Sequence, residues 1–143
     1  MTGLSAALVL ALGGTGSAAI RLAVCVLAGQ LSIGWSNDAR DAAADSAAGR
    51  SAKPIVRGIV DARTVGRAAV AALVACAVLS VGLLGPVAGG WHLLAVGSAW
   101  LYNLWLKDTL ASPGPYALAF AAVPVIVSSV VDPAEPPPVG LAA

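Results

Sequence analysis

The stretch Asn37-Asp38-Ala39-Arg40-Asp41-Ala42-Ala43-Ala44-Asp45 sets one amide and three carboxylates within nine residues. On a helix each residue advances about 100°, so with Asn37 at zero, Asp38 falls near about 100°, Asp41 near about 40° and Asp45 near about 80°. The four oxygen-bearing side chains then share one face. Carboxylates grouped so closely repel one another and call for a compensating cation. Oxygen ligands without thiolate or imidazole favour a hard cation, Mg²⁺ above all. Mg²⁺ held this way keeps open positions and bridges protein carboxylates to substrate phosphates. Arg50, Lys53 and Arg57 follow at once and can clamp phosphate oxygens. Together they read as a diphosphate site. The competing reading is structural: Asn37 caps a helix, Asp38 and Asp41 occupy its first turn, and the basic cluster only sets topology.

The elements that position this stretch are apolar. Of the 143 residues, 59% are hydrophobic and 10% charged. A soluble domain carries about 25% charged residues, and so much apolar surface cannot be hidden in one core of this size. The chain reads as all-α, a multi-pass bundle of transmembrane helices in the cell membrane. A span needs about 20 mostly apolar residues. Candidates run from about Leu4 to Leu12, Ser17 to Ser36, Thr64 to Leu84, Trp91 to Leu106, and Pro113 to Val131. Residues 68–106 contain no charged side chain, which suits two spans joined by a turn at 85–90, where Gly85-Pro86 and Gly89-Gly90 stand. Pro124 is a candidate kink. Residues 1–131 form the helical domain, and 132–143 an irregular proline-rich tail. The first run is short and opens the chain without a preceding charge, as the remainder of a longer helix would.

Six of the eight Lys and Arg lie between Asn37 and Arg67, and Lys107 follows the fourth helix. The positive-inside rule puts both groups, and the aspartates, on the cytoplasmic side. Arg21, near the outer end of the second helix, reads as a snorkelling side chain. Cys25 and Cys76 lie in apolar runs and make no disulfide framework or zinc site. His92 is the single histidine and a poor catalytic signal. Trp35, Trp91, Trp100 and Trp105 mostly fall near predicted helix ends, as interfacial or packing residues. A net charge of +1 suggests no nucleic-acid partner.

Asn-Asp-x-x-Asp-x-x-x-Asp at the end of the second helix, with Gly49-Arg50 and Lys53-Pro54 after it, resembles the first aspartate-rich motif of UbiA-type intramembrane prenyltransferases. Asn37, Asp38, Asp41 and Asp45 match at every defined position. Tyr102-Asn103 to Leu106-Lys107 resembles the end of that family's fourth helix, where a basic residue faces the diphosphate; Lys107 is the matching position, and Tyr102 would face the same cavity. The resemblance covers roughly residues 1–131. It implies a bundle around a cavity open toward lipid, an Mg²⁺ cofactor, an isoprenyl diphosphate donor and an aromatic or other lipophilic acceptor. It also implies a second aspartate-rich loop after a sixth helix, and nothing in the sequence matches that. Asp132 and Glu135 are isolated. The expectation is therefore the N-terminal half of such a bundle, a partial fold of about five helices, inactive alone. CDP-alcohol phosphotransferases need an Asp-Gly pair that is missing here. The remaining alternative is a non-catalytic small membrane protein or a remnant of such an enzyme.

Overall fold

A computed structural model describes residues 1–50 and 52–132. All its regular elements are helical: α1 (Thr2–Ala11), α2 (Gly16–Ala47), α3 (Ala62–Leu101), a π-helical turn (Tyr102–Leu106) and α4 (Pro113–Val131). Three stretches are long and apolar enough to cross a membrane: Gly16–Ala47, Ala62–Leu106 and Pro113–Val131. The expected tail, with Glu135, lies outside the described residues beyond Asp132.

Each helix begins where local chemistry satisfies its first amides. Thr15 caps α2 by accepting a hydrogen bond from Ala18 N at 3.2 Å. Asp61 caps α3, accepting from Thr64 N at 2.8 Å and from Thr64 Oγ1 at 2.7 Å. Pro113 opens α4, where its missing N–H costs nothing. The helix then continues through Pro124.

Two lengths depart from the sequence expectation. Counted by hydropathy, the second helix stops at Ser36, but α2 runs on to Ala47. Its 32 residues span about 48 Å against a hydrocarbon core of about 30 Å. The excess carries the aspartate motif out of the lipid on the same rigid helix. The expected turn at 85–90 shrinks to one residue. Gly85, at φ 77° and ψ 178°, breaks α3 into arms 62–84 and 86–101. Pro86 disfavours helix at the residue before it and then starts the second arm. Gly89 and Gly90 are helical instead, and Gly89 lets the arms touch: a Cβ there would lie 2.5 Å from Ser80 O.

Packing uses small residues, as membrane bundles do. Val9, Ala18, Ala19, Leu22, Val26, Ala122, Ile126 and Val127 form one buried cluster joining α1, α2 and α4. Against α3, Gly29 gives α2 its close approach; a Cβ there would meet Val96 Cγ2 at 2.9 Å. Cys25 and Cys76 are free, buried thiols in this interface. Trp100 Nε1 donates to Ser32 Oγ at 3.2 Å, so this tryptophan ties helices together. Arg21 stands exposed on α2 and makes no ion pair among the described residues.

Candidate functional site

The acidic face stands on the last three turns of α2, and the chain then doubles back over it. Ala47 is the last helical residue, and Gly49, at φ 67°, takes the left-handed conformation that only glycine adopts without strain. Gly49 N donates to Ser46 O at 3.1 Å and Arg50 N to Asp45 O at 3.0 Å. This pair of bonds is a Schellman turn. It swings Arg50 back so that Nη1 reaches Asp45 Oδ1 at 2.8 Å. Three residues on, Lys53 Nζ lies 2.7 Å from Asp38 Oδ1 and 2.8 Å from Asp45 Oδ2. Lys53 therefore bridges two carboxylates seven positions apart on the helix. Its ammonium is held above the ordinary lysine value, first by the hydrogen bond to Asp38 and then by the Asp45 carboxylate beside it.

The second approach comes from the π turn at the end of α3. Lys107 N donates to Tyr102 O at 3.0 Å, an i to i−5 bond that closes a π turn. The turn delivers Lys107 Nζ to Asp41 Oδ2 at 2.5 Å and to Asn37 Oδ1 at 3.3 Å. Three further bonds hold the turn against α2. Arg40 Nη2 donates to Leu104 O at 2.5 Å, and the buried Asn103 donates from Nδ2 to Ser36 Oγ at 2.7 Å and to Ile33 O at 3.0 Å. Asn37, Asp38, Asp41, Asp45, Arg50, Lys53 and Lys107 are thus one cluster. Arg57 stands exposed beyond it and makes no ion pair among the described residues.

Asn37 and Lys107 also line a cavity of about 620 Å³. Its wall is mainly apolar, from Leu22, Val26 and Ile33 of α2 to Ala119, Phe120 and Val123 of α4. Tyr102 lines it as well, edge-on to Tyr116 with ring centroids 5.1 Å apart. A charged mouth on an apolar chamber suits a ligand with an anionic head and a hydrocarbon body.

The donor set can be tested against a hard cation. Asp45 is 1% exposed, and its Oδ2 accepts no hydrogen bond; Lys53 Nζ is near it, but at an angle that makes an ion pair only. An ammonium occupies the space between Asp38 and Asp45 where a cation is required. Among the described residues no three Asp, Glu, His or Cys side chains converge as a closed metal cage. Mg²⁺ does not need one, because it is held by one or two carboxylates together with substrate phosphates. The residues fit Mg²⁺ in that open mode.

Sequence reasoning did not single out Arg40, Asn103 or Tyr116. Their partners lie 64 to 70 positions away for the first two, and nothing local in the sequence announces a π turn. Tyr116 carried a weak signal, an aromatic ring three residues after the Pro113 that opens a helix.

A family model described as the UbiA prenyltransferase family matches residues 1–143. Comparison with curated proteins and with solved structures gives no match. The aspartate-bearing helix, its returning basic loop and the full-length family match agree, and the chain belongs to the UbiA prenyltransferase family.

Proposed function

We propose that this chain takes part in Mg²⁺-dependent transfer of an isoprenyl group from an isoprenyl diphosphate to an aromatic or other lipophilic acceptor inside the cell membrane. The observation that carries the reading is the pairing of Asp38, Asp41 and Asp45 with Lys53 and Lys107 on one helix face, next to an apolar cavity that Asn37 and Lys107 help to line. The head of the donor lies at the charged mouth and its hydrocarbon tail in the chamber or the adjoining lipid. Asn37, Asp38, Asp41 and Asp45 hold Mg²⁺, which when bound stabilises the negative charge of the departing diphosphate. Arg50, Lys53, Arg57 and Lys107 donate to phosphate oxygens. Lys53 and Lys107 now neutralise carboxylates; with the cation in place they are free to turn to phosphate. The apolar walls exclude water, which would otherwise capture the allylic cation. Tyr102 lines the place where that cation forms. The charged mouth faces the cytoplasm, in keeping with the basic residues around it.

One acidic helix covers one side of a diphosphate. A second acidic segment, which the family resemblance implies, completes the site, so residues 1–143 alone bind the Mg²⁺-diphosphate weakly and do not turn over. The test follows label from an isoprenyl diphosphate into a panel of phenols. It is run with this chain alone and with a second chain carrying the other half-bundle, since separately inserted helices can associate. Product only in the second arm is expected. Failure to bind the donor in either arm contradicts the reading.

A further inference from the structure

The cavity has a second polar place, away from the acidic face. His92 lines it and is only 5% exposed. It stands on the second arm of α3, and its Nδ1 lies 2.8 Å from Ser80 Oγ on the first arm. Ser80 is fully buried, with Cys76 Sγ beside it at 3.7 Å. This pair ties the hairpin shut and accounts for one ring nitrogen.

It does not account for the other. Nε2 has no hydrogen-bond partner among the described residues. Nor is it sealed in the packing: the unpartnered, fully enclosed side-chain atoms there are Asp45 Oδ2 and Ser129 Oγ. Nε2 faces α2 at Gly29, 3.4 Å from the point a Cβ there would occupy. A polar side chain within an apolar span is costly unless its hydrogen bonds are made. A hairpin tie needs only Nδ1, so it gives no reason for an open Nε2.

We propose that His92 Nε2 binds a hydroxyl group on a lipophilic ligand in this part of the cavity. Naming that ligand as the prenyl acceptor rests on the prenyl-transfer reading above. The neutral ring carries one proton. If Ser80 donates to Nδ1, Nε2 holds the proton and needs an acceptor; if Nδ1 donates to Ser80, Nε2 needs a donor. A hydroxyl serves in both cases. Position separates the two substrates. Gly29 precedes Asn37 by eight residues on α2, so His92 stands about 12 Å along the helix from the acidic face. The donor's head is bound at that face and its tail is hydrocarbon, with nothing to offer an imidazole. The hydroxyl belongs to the other substrate.

The chain has a single histidine, so ¹⁵N-histidine labelling reports this ring alone. The purified chain in lipid nanodiscs is titrated with 1-naphthol and with naphthalene, without Mg²⁺ or diphosphate. The expected result is a shift of the Nε2 resonance with 1-naphthol, a smaller change at Nδ1, and no Nε2 shift with naphthalene. Equal shifts with both probes, or none with 1-naphthol at saturation, would overturn the proposal. His92→Phe should weaken 1-naphthol binding about fivefold and leave naphthalene binding unchanged; if that variant does not fold, the wild-type titration decides. A response to 1-naphthol in a chain that fails to bind Mg²⁺-diphosphate would keep this site and remove the prenyl-transfer reading; the reverse pattern would do the opposite.

Discussion

Lys107 Nζ lies 2.5 Å from Asp41 Oδ2, although 66 positions separate the two residues. The contact joins the end of a π turn to the middle of the acidic face. Lys53, from the loop after α2, pairs with Asp38 and Asp45, so two ammonium groups from different loops meet the carboxylates of one helix.

Lys107→Met should therefore weaken diphosphate binding more than Arg57→Met. A charge-assisted bond lost from a partly buried site corresponds to roughly tenfold to a hundredfold in affinity. Arg57 is exposed and should cost less than about threefold, in the range of surface charges. Competition between unlabelled pyrophosphate and a labelled isoprenyl diphosphate measures both. Equal losses would mean that Lys107 acts only through general charge.

Gly89 and Gly90 make a paired test of the hairpin. A Cβ on Gly89 would lie 2.5 Å from Ser80 O, a backbone atom that cannot give way, while one on Gly90 meets nothing within 4 Å. Gly89→Ala should destabilise by about 1–3 kcal/mol as overpacking does; Gly90→Ala should be neutral or slightly stabilising. Thermal unfolding in detergent separates them, and similar midpoints would refute the close crossing of the arms.

Asp61 gives a pH signature. Its carboxyl is held below the ordinary aspartate value, chiefly by the hydrogen bond from the Thr64 side chain and then by that from the Thr64 backbone. A depressed carboxyl stabilises fully above its unfolded value, about 3.9, and the contribution fades as pH falls through the lower folded value. Asp61→Ala should lower the unfolding midpoint slightly at neutral pH, and the gap from wild type should close on acidification below about pH 4. Turnover in an assembled enzyme should be untouched. A gap that widens in acid would contradict the capping role.

Orientation can be read by thiol labelling. In a background of Cys25→Ala and Cys76→Ala, an impermeant reagent on intact cells should reach Val87→Cys at the hairpin apex and not Ser46→Cys beside the acidic face. The opposite pattern would invert the bundle.

The acidic face was legible in the sequence because 100° per residue is a property of any helix, and the motif stands on one. So was the pair of apolar arms, from a charge-free run too long for one span. The extension of α2 to Ala47 was hidden because hydropathy marks where lipid ends, not where a helix ends. The one-residue turn at Gly85 was blurred by four nearby Gly and Pro residues, any of which could have made it. The bridging of Asp38 and Asp45 by Lys53 depends on a Schellman turn at Gly49. Its glycine was visible, but not the direction in which it sends the chain. His92 looked inert because Ser80, its partner, is twelve positions away across a hairpin.

Mg²⁺-dependent diphosphate binding by the acidic face is measured most directly by equilibrium binding of a labelled isoprenyl diphosphate to the purified chain in nanodiscs, titrated with Mg²⁺, for wild type, Asp38→Asn and Asp41→Asn. Binding should rise with Mg²⁺, be abolished by a chelator, and fall at least about tenfold in either variant, since each removes a ligand charge. Binding that ignores Mg²⁺ and is unchanged in both variants would contradict this role for the acidic face.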